Sequence, residues 1–118
     1  MRLYHYTCSD GAQAIEAAGL LVPWPQPILG GTELAWLTDS PDPSRAELGF
    51  RGRVAGCDRL AYRVSVDTDE AQLWTEWAHA QRVPLTARLM LDGAPSARPG
   101  SWWVSEGPIE VEGVASHS

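Results

Sequence analysis

Lysine is absent from the sequence: all nine basic residues are arginine, which removes Schiff-base chemistry and any Walker-type phosphate lysine. Cysteine occurs only twice, as Cys8 and Cys57. They are far apart and form no CxxC pair, so no disulfide framework is expected and a reducing, cytoplasmic location fits best. His5, Cys8, Cys57 and His79 are metal-ligand types, but no two of them have the CxxC or HxxxH spacing of a zinc site, so no metal is expected. Gly30-Gly31 is too short for a phosphate loop. No stretch approaches the roughly 20 apolar residues needed to cross a bilayer. The opening Met1-Arg2-Leu3-Tyr4-His5 also lacks the apolar run of a signal peptide. A membrane partner is therefore not expected. No basic helix or Arg-rich stripe marks a nucleic-acid module, and a net charge of -6 disfavours strong binding to a polyanion.

What remains is the composition of a folding chain, with 44% apolar and 20% charged residues over 118 positions. That length supports one domain, 1–118, because half of it would bury too little core. Six tryptophans stand against one phenylalanine. Indoles make large rigid walls, so the bias points to a ligand cleft rather than a plain aliphatic core.

Alternation over Leu3–Thr7 reads as a strand with Leu3, His5 and Thr7 on one face and Tyr4 and Tyr6 on the other. Ser9 reads as an N-cap for a helix over Asp10–Ala18 that stops at Gly19. The three prolines of Pro23–Pro27 predict an extended arm without regular structure. Leu34–Thr38 is a second strand, and 43–50 offers one or two helical turns. A polar loop over 51–59 precedes the clearest strand, Leu60–Asp67. Asp69–Gln81 is the clearest helix, with Leu73, Trp74, Trp77, Ala78 and Gln81 on one stripe. A short helix over Leu85–Leu91 follows Pro84, and strands over Ser101–Ser105 and Ile109–Val114 end the chain. This order, without strict βα alternation, predicts an α+β fold with a largely antiparallel sheet.

His5-Tyr6-Thr7 near the start and Trp103-Val104-Ser105-Glu106 near the end carry a resemblance. The chain resembles ADP-ribosyltransferase-like domains of the His-Tyr-Glu type, the group that includes diphtheria-toxin-like and poly-ADP-ribose-polymerase-like enzymes. In that group a first core strand bears His-x-Ser/Thr, a later strand bears an aromatic, and a late strand ends at Glu. Trp36 or Tyr62 would be the aromatic here, and Glu106 the acid. The opening Leu-Tyr-His-Tyr-Thr, followed by a helix and Gly-Leu, also looks like the DNA-modifying and tRNA 2′-phosphotransferase branches. The resemblance implies a split antiparallel sheet with short flanking helices and NAD as co-substrate. It implies an unidentified macromolecular acceptor or host protein, as for a toxin or phage effector.

The chemistry explains these residue types. Cleaving the nicotinamide–ribose bond builds positive charge on the sugar, which a nearby carboxylate stabilises; Glu106 is the candidate. By the resemblance, His5 and Thr7 hold the adenosine ribose, the Tyr6 backbone bonds the nicotinamide amide, Trp36 or Tyr62 stacks on the nicotinamide ring, and Ser105 completes the cofactor-binding set. Val104 stands where arginine- and Rho-modifying toxins have Glu or Gln, which disfavours those acceptors. Further readings stand beside this one. His5 between two tyrosines is also compatible with a satisfied core histidine, and Glu106 beside Gly107-Pro108 with a solvated turn acid. Of Trp102 and Trp103, alternation allows one in the core and the other at a cleft. The same fold can also serve as a non-catalytic interaction module, such as a phage protein that blocks a host factor.

Overall fold

In the computed structural model, residues 1–49 and 58–117 are described. The chain runs β1 (Arg2–Thr7), α1 (Ser9–Ala18), β2 (Leu20–Leu21), β3 (Trp24–Gln26), a 3₁₀ turn (Pro27–Leu29) and β4 (Thr32–Thr38). It continues through β5 (Tyr62–Asp67), β6 (Gln72–Leu73), α2 (Trp74–Ala80), α3 (Leu85–Asp92), a 3₁₀ turn (Pro99–Ser101), β7 (Trp102–Ser105), β8 (Ile109–Glu110) and β9 (Gly113–Ser116). The main sheet has the order β6-β7-β4-β1-β5-β9, with β3 added to β4, and β2 and β8 form a separate ribbon. All of these pairings are antiparallel. The fold is therefore α+β, as the order of elements predicted. No helix among the described residues is long and apolar enough to cross a membrane.

The central strand explains the double-sided core. Leu34-Ala35-Trp36-Leu37 in β4 has no polar alternate position, the mark of a strand covered on both faces. Ala35 and Leu37 join Leu3, Leu21, Val64, Val66 and Ile109 in one cluster, against which Ile15 of α1 packs. Leu34 joins Trp74, Trp77, Ala78, Trp102 and Val104 in the other, with Trp36 at its margin. β7 alternates in the same way: Trp102 and Val104 face the tryptophan side and Trp103 the aliphatic side.

Several local expectations change. Cys8, not Ser9, occupies the N-cap of α1, and its side chain makes no capping bond. Cys8 is disulfide-bonded, against the expectation of reduced thiols; the other cysteine, Cys57, lies outside the described residues. The proline arm is not structureless. Trp24–Gln26 pairs with Thr32–Leu34, and Pro25 is tolerated there because the strand is a short outer one that need not donate on both edges. The helix expected from Asp69 begins only at Trp74. The Glu70 amide bonds Thr68 Oγ1, a local turn that competes with helix, and Gln72–Leu73 then pair with β7. The single strand expected over Ile109–Val114 is two, with Ile109 opposite Leu21 and Gly113 opposite Ser65. Residues 45–49 form hydrogen-bonded turns rather than a helix. Of the loop expected over 51–59, residues 51–57 lie outside the described ones.

Candidate active site in the gap between β1 and β4

β1 and β5 pair along their whole length, from Arg2 opposite Asp67 to Thr7 opposite Tyr62. The other edge of β1 meets β4 at one register position only, Tyr4 opposite Thr38. Beyond that pair the ladder stops, and a side chain replaces it: His5 Nδ1 lies 2.8 Å from the Trp36 carbonyl oxygen. A carbonyl only accepts, so Nδ1 carries the hydrogen, and in the neutral ring Nε2 is left as an acceptor. Burial lowers the pKa of His5 below its ordinary 6.5, opposed in part by the bond to Trp36. The neutral tautomer is thus the one the fold selects.

A cavity of about 400 Å³ occupies this gap, within the range of small-molecule sites. His5, Tyr6, Thr7 and Trp36 all line it, so four of the residues singled out in the sequence come together. Arg59 also lines it, alone among the described arginines. The Thr7 side chain lies against α1 so closely that a Cβ on Gly11 would come within 2.1 Å of Thr7 Oγ1, so any larger residue at 11 requires the Thr7 side chain to shift. The Tyr6 hydroxyl donates to the Pro41 carbonyl at 2.8 Å and to that of Ser40 at 3.2 Å, which ties the turn after β4 back to β1. Burial pushes its pKa up to about 12, with Arg63 opposing, so this hydroxyl stays a donor at neutral pH.

The tryptophan side forms the opposite wall. Trp36 lies 4.9 Å from Trp74 and meets Trp102 edge-on at 6.0 Å, and Trp74 stacks on Trp77 at 5.9 Å. The indole N–H groups fix these rings: Trp74 to Asp92, Trp77 to Glu106 and Trp102 to the Glu47 carbonyl. Trp74 and Trp77 are core residues of α2, as their spacing predicted. Trp102 both fills the core and lines the cavity, so the choice between core and cleft for the Trp102-Trp103 pair was a false one. Leu48, Gly49 and Leu91, which the sequence did not single out, complete this wall. Gly49 was the available signal: its φ is +71° and a Cβ would sit 2.9 Å from the Trp102 ring, so glycine alone lets the 45–49 turn close on that indole.

Three expected site residues do not line the cavity. Ser105 is buried and its hydroxyl donates to the Gly107 carbonyl at 2.7 Å, a turn-forming bond at the end of β7. Tyr62 is on the far side of β1, opposite Thr7. Glu106 is exposed and accepts the Trp77 indole N–H at 2.9 Å. Ser105 is opposite Ala35, so β7 ends beside the stretch of β4 from which β1 has parted. Among the described residues no group of three or more His, Cys, Asp or Glu side chains is placed to hold a metal ion. The chain matches no family model, curated protein or solved structure.

The His5 geometry gives a stability prediction. Its folded pKa lies below that of the free imidazole, so between the two values the unfolded chain binds more protons and acidification favours unfolding. Stability is therefore expected to be full above the ordinary imidazole value of 6.5 and to fall as the pH drops below it toward the lowered folded value. His5→Gln, which can still donate to Trp36, should flatten that fall by about one proton's worth of slope. Urea unfolding of both proteins across this range checks it, and parallel curves would refute the assignment.

Proposed function

We propose that the protein is a small single-domain ADP-ribosyltransferase-like enzyme that takes NAD as co-substrate. The observation that carries this reading is the parting of β1 from β4 at His5, which opens a cavity beside a His-x-Thr strand with an indole on the facing strand. A neutral His5 with Nε2 as an acceptor suits a ribose hydroxyl, which donates. The Trp36 face suits a cationic pyridinium ring, and Arg59 in the cavity lining suits a pyrophosphate. In the reaction the ribose C1′–nitrogen bond breaks and its electron pair neutralises the pyridinium, so nicotinamide leaves uncharged. An acceptor oxygen or nitrogen then bonds C1′ and gives up its proton. Glu106 is the carboxylate that would stabilise the sugar's developing charge.

Titration calorimetry with NAD tests the reading: binding in the micromolar range is expected, weakened about tenfold or more by Trp36→Ala. No heat with the wild-type protein would remove it. One observation favours a second reading, a non-catalytic interaction module of the same architecture: the Glu106 carboxylate lies outside the cavity lining and already has a partner in Trp77. That reading is supported if NAD binds without being cleaved, or does not bind.

A further inference from the structure

Trp77 is 3% exposed, at the centre of α2, yet its indole N–H reaches out of the core to a surface carboxylate, Glu106 Oε1, at 2.9 Å. A buried indole needs an acceptor, and a backbone carbonyl would serve. Here the acceptor is the side chain at the end of β7, just before the Gly107-Pro108 turn. The ring itself is fixed by stacking on Trp74, which packs on Trp36 of the cavity wall. A rigid row of three indoles thus runs from the cavity to the carboxylate. Glutamate has three rotatable side-chain bonds, and an exposed one samples many rotamers unless something holds it.

We infer that Trp77 is a positioning residue: its N–H holds the Glu106 carboxylate at the cavity end of the sheet and sets its place relative to the Trp36 ring. The kinetic part of this inference rests on the NAD reading; the structural part does not. The holding bond is charge-assisted, stronger than a neutral one, and it leaves the second carboxylate oxygen available to a sugar hydroxyl.

Trp77→Phe removes the donor and keeps an aromatic ring in the core. NAD cleavage should then fall about tenfold or more in kcat, with KM and the calorimetric NAD affinity within about twofold, because the binding walls are untouched. A purely structural loss would lower affinity and kcat together. Independently of any activity, the Trp77 indole N–H is read by proton–nitrogen NMR. Glu106→Ala should move that resonance and speed its exchange with solvent, whereas Glu106→Gln, which keeps an acceptor oxygen, should leave it close to wild type. An indole resonance indifferent to Glu106→Ala overturns the inference, as does full kcat in Trp77→Phe. If the wild-type protein leaves NAD intact, the NAD reading fails, and the indole resonance still decides whether Trp77 holds the carboxylate.

Discussion

Glu106→Gln is expected to lower NAD cleavage by about 100-fold or more while leaving the fold and NAD affinity in place. The size follows from what the carboxylate is asked to do: a charge placed against a developing oxocarbenium ion acts mainly in the transition state, and loss of one such electrostatic contact typically lowers kcat by about 10²–10³. The selectivity follows from the surroundings. Glu106 is exposed, so no buried site is disturbed, and the amide oxygen of glutamine can still accept the Trp77 N–H. Ser105 and Gly107, which form the strand-end turn, are unchanged. Steady-state cleavage, calorimetry with NAD and thermal unfolding should therefore separate, with only the first moving. Undiminished turnover would mean that the cavity works with another acid or none.

The parts of this site that were legible in the sequence are those fixed by local alternation. Period-two patterning placed His5 and Thr7 on β1 and Trp36 on β4, and helical spacing assigned Trp74 and Trp77 to the core. What the sequence did not show was decided by pairing between distant strands. Nothing local says that β1 leaves β4 after a single register position, yet that departure is what makes the cavity. Nor does proline content reveal a partner: Pro25 breaks no ladder because the strand it sits in is a three-residue outer one. The tryptophan surplus pointed to a cleft rather than a plain aliphatic core; in the structure the indoles fill the interior in one connected cluster and also present Trp36 and Trp102 to the cavity.

That double use gives the largest stability effect. Trp74 is fully buried, packs on both Trp36 and Trp77, and donates to Asp92 at the end of α3. Trp74→Ala removes the middle of the row and leaves a void bounded by rings that do not collapse easily. A loss of about 3–5 kcal/mol is expected, a large share of the roughly 5–15 kcal/mol that holds a domain of this size. In urea the midpoint should drop steeply. Trp74→Phe, which keeps most of the packing but not the bond to Asp92, should lose less, about 1–3 kcal/mol. Trp24, 74% exposed on β3, is the control: its alanine variant should stay within about 0.5 kcal/mol of wild type. The functional consequence separates this from ordinary core damage. Trp36 is held on one side by Trp74, so at temperatures where Trp74→Phe is fully folded its NAD affinity should fall, while the Trp24 variant binds as wild type does. Unchanged affinity in folded Trp74→Phe would show that the Trp36 wall stands without the indole behind it.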